Sequence, residues 1–277
     1  MIRRPDCYKF VIGKLVPVCR SYLKSMKIFA VLSVFLFSIA RAHGQMPNPA
    51  LIISHLTGDF YVYTTFGMYK GDPVPSNSMY MVTSAGVVLF DTPWDSTQFK
   101  PLLDSIKIKH GKKVVMCIST HFHEDRTAGL EYYRSMGIRT YTSKRTDELS
   151  KERHEKRAEF LIYKDSTFRV GQHTFQTFYG GPGHSPDNIV IWFDKEKILY
   201  GGCLVKSTEA DDLGNLSDAN VKNWAATIIK IQHAFKNPDY IIPGHSDWSS
   251  KESLTHTLDL IKQYEEKNPP AGKPNAP

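Results

Sequence analysis

Long apolar runs are scarce in this chain of 277 residues. The longest, "IFAVLSVFLFSIA" from Ile28 to Ala40, is about a dozen residues, short of the roughly 18 to 20 that a helix needs to cross a bilayer. That excludes a conventional membrane span. The run follows Lys27 and precedes the small-residue stretch "RAHG", the pattern of a secretory signal peptide. Residues 1–44 are therefore expected to be a leader, cut after Gly44 or Ala42, with either Met1 or Met26 as the start. No cysteine stands at the cut to accept a lipid, so the mature chain is expected in the periplasm without a membrane anchor.

Cysteine is scarce too. Of the four, Cys7 and Cys19 fall in the leader and only Cys117 and Cys203 remain, too few for a disulfide framework in a domain large enough to do without one. Excess charge is also lacking. The formal +7 comes from the leader, which holds eight Lys/Arg and one acid, and 27 basic and 27 acidic residues follow it. A neutral domain carries no electrostatic footprint for nucleic acid, and a small-molecule ligand is the better expectation. No short-period repeat or coiled-coil seam is present, which predicts a monomer.

What is there is a mixed α/β pattern. "FYVYTTFG" and "SMYMVTSAGVVLFDTPW" alternate as strands. "KVVMCIST", a helix from about Ala128, "RTYTS", a charged stretch to Glu159, "TFRVGQHTFQTFYGG" and "NIVIWFDKEKILYGG" then interleave. Trp224, Ile228, Ile231 and Phe235 mark one stripe of a helix with Ser217 and Asp218 as candidate caps. "DYIIPGH" and a helix near Leu254 to Glu266 complete one domain, 45–267, and the Pro-rich 268–277 is expected to be disordered.

The chemistry concentrates in "CISTHFHEDRTAGL". His121, His123 and Asp125 alternate after an apolar strand, so their side chains can converge, and imidazole and carboxylate are good zinc ligands. H-x-H alone is also common in surface loops. Three further stretches change the balance: "GGPGHSPDN" holds His184, "LYGGCLVKS" holds Cys203 and "YIIPGHSDW" holds His245. Each stands just past a strand, where the ligand sites of α/β sheets collect.

In these residues the chain resembles the class B, zinc-dependent β-lactamases, in particular their first subclass. The likeness runs from the opening strands to the last helix. Arg126 and Cys203 stand where the wider superfamily has a histidine and an aspartate. The resemblance implies a four-layer αββα sandwich, His121, His123 and His184 on one zinc ion, and Asp125, Cys203 and His245 on a second. It implies hydrolysis of the β-lactam amide of penicillins, cephalosporins and carbapenems by a zinc-activated water, without a covalent acyl-enzyme. Past the leader the chain has no S-x-x-K, the arrangement of serine enzymes.

The resemblance also gives Lys206 to the substrate carboxylate and Asn215 to the lactam carbonyl or oxyanion, with Asp125, Lys206 and Asn215 as the catalytic set. "LGN" is equally good turn sequence. The stretch Phe66 to Ser78 corresponds to a mobile flap, with Phe66, Met68 and Tyr69 as apolar contacts, although loop aromatics also serve as edge packing. Trp94 fits a buried turn better than a site wall. Arg126 and Asp91 are candidates to orient the ligands. His154, among alternating charges with Glu152 four before Lys156, suits a solvated helix face, while His173 and His233 have no partner at ligand spacing and Cys117 suits a core. The rival functions are a periplasmic hydrolase of thioesters, phosphoesters or lactones, and a zinc-buffering protein. Arg126, Cys203 and Lys206 oppose the first, and the dispersal of six ligands opposes the second.

Overall fold

A computed structural model describes residues 51–269. The expected leader, its cut site and residues 270–277 of the tail lie outside them. Four antiparallel strands open the fold: β1 (Ile52–Thr57), β2 (Phe60–Tyr69), β3 (Asp72–Thr83) and β4 (Gly86–Phe90). A helix, α1 (Phe99–His110), carries the chain to β5 (Val114–Ile118), parallel to β4. Short helices α2 (Glu124–Thr127) and α3 (Leu130–Ser135) lead to β6 (Arg139–Ser143), and α4 (Lys144–Glu152) to β7 (Phe160–Ile162), both added in parallel. These seven strands form one sheet in chain order.

The second sheet has five strands: β8 (Ser166–Val170), β9 (His173–Phe178), β10 (Val190–Phe193), β11 (Ile198–Gly202) and β12 (Tyr240–Pro243). The crossover from β11 to its parallel neighbour β12 contains α5 (Val221–Ala234), and α6 (Ser253–Lys267) follows.

Strand alternation sorts the apolar residues into three cores. Val62, Met79, Met81, Val88 and Phe90 of the first sheet meet Phe175, Ile191, Phe193 and Tyr200 of the second. The opposite face of the first sheet packs Tyr63, Tyr80 and Leu89 on α1 and α3 through Leu102, Ile106, Leu130 and Tyr133. The outer face of the second packs Val190, Trp192 and Leu199 on α5 and α6 through Trp224, Ile228, Ile231, Leu260 and Ile261. Helix, sheet, sheet, helix is the four-layer order that the family resemblance implies.

Four local readings are corrected. The sequence pattern shows no helix at α1, yet Phe99, Leu102 and Ile106 form its buried stripe and Gly111, at φ 65°, ends it. The flap is not a loop: β2 and β3 stay paired out to Tyr69↔Asp72 and turn on Lys70 and Gly71 alone. The cap of α5 is Asn220, which accepts from Asn223 N–H, rather than Ser217 or Asp218. Helix α4 stops at Glu152, and Lys156 reaches Glu131 at 3.4 Å instead.

Candidate metal centre

Four chain segments deliver the six ligand candidates to one edge of the two sheets. β5 ends at Ile118, the turn behind it carries His121 and His123, and Asp125 stands in α2. β11 ends at Gly202 before Cys203, β12 at Pro243 before His245, and His184 lies between β9 and β10. Gly244 is required here for space. A Cβ at this position would stand 2.6 Å from Cys203 N and 2.8 Å from its Sγ.

His121, His123 and His184 form one group: His123 Nδ1 is 3.2 Å from His121 Nε2 and 3.1 Å from His184 Nε2. Asp125, Cys203 and His245 form the other. Cys203 Sγ is 3.4 Å from Asp125 Oδ2 and 3.2 Å from His245 Nε2, and that nitrogen is 3.4 Å from Asp125 Oδ2. His121 also comes within 4.8 Å of Asp125 and Cys203, so it stands between the groups.

A tetrahedral zinc ion with bonds of about 2.0 to 2.3 Å spans ligand pairs roughly 3.3 to 3.6 Å apart, close to both triangles. The protonation chemistry agrees. Burial holds the His121 and His184 imidazoles well below their usual range, as neutral donors. Burial also pushes the Cys203 thiol up, so ionisation there needs a cation. Burial raises the Asp125 carboxyl, but Arg126 and His245 outweigh it and hold the group well below the usual carboxylate range. Cys117 and Cys203 are both free, with Cys117 in the core.

Arg126 is fully buried and explains that charge balance. Its Nη2 is 2.8 Å from Asp125 Oδ2 and 2.8 Å from Gly244 O, and its Nη1 donates to Asn77 O at 2.6 Å. Asp91 lies 3.5 Å from the same guanidinium and accepts from Thr120 N–H at 2.6 Å and Thr120 Oγ1 at 2.9 Å. Tyr200 was not anticipated. Its hydroxyl donates to Asp91 Oδ2 at 2.5 Å and lies 3.1 Å from Arg126 Nη1. Asp218, read as a helix cap, instead meets His123 Nε2 at 3.2 Å and is held by Arg153 Nη2 at 2.9 Å and Ser217 Oγ at 3.0 Å.

A cavity of about 380 Å³ opens over both groups, walled by Tyr69, Val74, Trp94, Glu124, Lys206 and Asn215 among others. Trp94 is half-buried and forms a wall of this site, a correction to its reading as a buried turn residue; its Nε1 points to Glu124 Oε2 at 3.4 Å. Lys206 Nζ lies 5.3 Å from the Trp224 ring centroid, and burial lowers its pKa. Asn215 does form a turn, its Oδ1 accepting from Ser217 N–H at 3.1 Å, while lining the cavity. Of the three hairpin residues, Tyr69 lines this cavity and Met68 an adjoining groove. Phe66 lines neither and is half-buried. His173 and His233 are absent from both ligand groups. His173 pairs instead with Asp59 at 2.8 Å and Glu196 at 3.3 Å.

Two triangles of nitrogen, oxygen and sulfur donors, set at the edge of an αββα sandwich under one open cavity, define a metal-binding class of protein. The comparisons carry the class further. Residues 71–245 match the metallo-beta-lactamase superfamily model. A metallo-beta-lactamase type 2 of Elizabethkingia meningoseptica is 42% identical over 245 residues, covering 88% of this chain and 98% of that protein. Metallo-beta-lactamase IND-1 of Chryseobacterium indologenes is 38% identical over 240 residues, 87% and 99% of the two chains. The solved metallo-beta-lactamase of Pontibacter korlensis superposes with a TM-score of 0.75 at 32% identity, covering 77% of this chain and 99% of its own. This chain belongs to the class B metallo-β-lactamases.

Proposed function

We propose that this chain is a periplasmic, monomeric, two-zinc β-lactamase that opens the amide of penicillins, cephalosporins and carbapenems to the β-amino acid. The observation that carries the reading is the pair of donor triangles beneath a cavity whose wall bears one cation, Lys206, and one amide, Asn215. The names of the relatives support the same chemistry. No helix among the described residues is long and apolar enough to cross a membrane.

His121, His123 and His184 would hold one zinc ion, and Asp125, Cys203 and His245 the second. Zinc in such sites acts as a Lewis acid, lowering the pKa of water to roughly 7 and stabilising developing negative charge. The chain supplies the rest. The Lys206 ammonium is a flexible point charge suited to the carboxylate of a β-lactam. Asn215 has its Oδ1 engaged with Ser217, which leaves its Nδ2 as a donor for the lactam carbonyl as negative charge grows there. Arg126 keeps Asp125 ionised and oriented. Tyr69, Val74 and Trp94 cover the apolar part of the substrate and exclude water.

Hydrolysis of a carbapenem by the purified mature chain, followed by its ultraviolet absorbance, tests the reading. Turnover lost on chelation and restored by zinc is expected. Protein that carries two zinc ions but opens no β-lactam ring would overturn it.

A further inference from the structure

The arm formed by the ends of β2 and β3 has an unusual base. A two-residue turn with φ of 53° at Lys70 and 94° at Gly71 closes it on Tyr69↔Asp72. In an antiparallel ladder rows alternate between pairs bonded to each other and pairs whose peptide groups face outward. Tyr69/Asp72 and Gly67/Val74 are of the first kind, and Met68/Pro73 and Phe66/Pro75 of the second. Both prolines thus stand where the missing N–H would have pointed away from the partner.

Each outward side of the Phe66/Pro75 row is caught by a side chain. β1 pairs with β2 as far as Ile52↔Thr64. Two residues on, at Phe66, the Gln98 amide takes the place of a strand: Phe66 N–H donates to its Oε1 at 3.1 Å, and its Nε2 donates to Phe66 O at 3.1 Å. Gln98 is only 4% exposed, so this pairing is shielded from water. On the opposite edge Pro75 O lies 2.7 Å from Nδ1 of His245, whose Nε2 faces Cys203 and Asp125. Beyond this row the attachments thin out. Gly67 lies against Trp94, where a Cβ would come within 2.2 Å of the indole, and Met68 to Pro73 are exposed.

We propose that Gln98 is the positioning residue of this arm, and that the arm's second anchor, Pro75, is shared with the metal centre through His245. Gln98 touches neither the cavity nor a ligand, and it acts by fixing the row from which Tyr69 and Val74 reach over the site. Metal that immobilises the His245 ring also fixes its Nδ1–H on Pro75 O, so the set of the arm follows the occupancy of the second group. The consequence for substrate rests on the lactamase reading. The structural coupling does not.

The test is amide hydrogen exchange on the mature chain, zinc-loaded and chelated, for the wild type, Gln98→Met and Gln98→Glu. Methionine is of similar length and removes both bonds, whereas glutamate keeps the acceptor for Phe66 N–H. Exchange at Phe66 and at the ladder-bonded amides of Gly67, Tyr69, Asp72 and Val74 is expected to rise at least tenfold in Gln98→Met with β4, β5 and β11 unchanged, and Gln98→Glu to fall between at Phe66. KM for a β-lactam should rise several-fold in Gln98→Met, more than kcat falls. Chelation should speed exchange in the wild-type arm. Unchanged exchange at Phe66 in Gln98→Met, or a rise spread evenly over both sheets, would overturn the role of Gln98. Indifference of the arm to chelation would overturn the link through His245. A wild type without β-lactam turnover would sink the functional reading and leave the exchange results to decide this one.

Discussion

Asp218 Oδ2 lies 3.2 Å from His123 Nε2, the ring nitrogen opposite the one that meets His121 and His184. A carboxylate there fixes the tautomer, keeping the proton on Nε2 and the lone pair on Nδ1 facing the other imidazoles. Asp218→Ala is expected to weaken zinc binding at the three-histidine group roughly 10- to 100-fold. Chelator competition measures it, and unaltered affinity would reduce Asp218 to a partner of Arg153.

Cys203 bears on the second group in a separable way. Serine in its place removes the thiolate, and with it the soft donor and its negative charge. Cys203→Ser should bind one zinc tightly and lose the second, with a large fall in turnover. Metal analysis after dialysis checks this, and two tightly held ions with full turnover would contradict the grouping.

Lys206 makes a prediction about binding more than about chemistry. Removing an interaction made equally in ground state and transition state raises KM and spares kcat. Lys206→Ala should therefore raise KM for β-lactams that carry the carboxylate and change it much less for a lactam without one. Equal losses on both would rule out the pairing.

The buried Asp91 links the site to pH. Burial raises its pKa from 3.8 to about 6, with Arg126, Tyr200 and Thr120 pulling the other way. Because the folded value is the higher, the folded state holds the proton more tightly. Its contribution to stability is full below about pH 4 and is lost as pH rises through about 6, on the order of 3 kcal/mol in all. In zinc-free protein, the unfolding free energy of wild type relative to Asp91→Asn should fall across that window. Denaturant titrations at steps between pH 4 and 7 measure it, and a flat difference would show that the carboxyl titrates alike in both states.

The sequence made the six ligand candidates visible because each sits just past a strand, in a segment whose punctuation by Gly, Pro or Ser marks the strand's end. The fold was legible in its period-2 strands and the Trp224 stripe only as mixed α/β, and the four-layer order followed from the family resemblance. The supporting contacts were not. Tyr200 reaches Asp91 across 109 positions, Asp218 reaches His123 across 95 and Gln98 reaches Phe66 across 32, and nothing local to any of them announces its partner. Asp218 also stands next to good turn sequence, where capping is the simpler reading. Helix α1 escaped because its charged residues mask a stripe of only three buried side chains. The hairpin looked like a loop because Pro73, Pro75 and Gly71 ordinarily break strands, and only the row on which a proline falls decides whether it does.

That row has a consequence outside catalysis. An exposed hairpin projecting from a sheet offers free edges on which a neighbouring chain can add a strand, the usual beginning of edge-to-edge aggregation. Along the outer edge of β3 the residues whose N–H would face such a neighbour are Pro73 and Pro75, and neither has one to give. The Pro75 carbonyl is already taken by His245. The chain can thus extend a long arm over its cavity while that edge stays closed to strand addition.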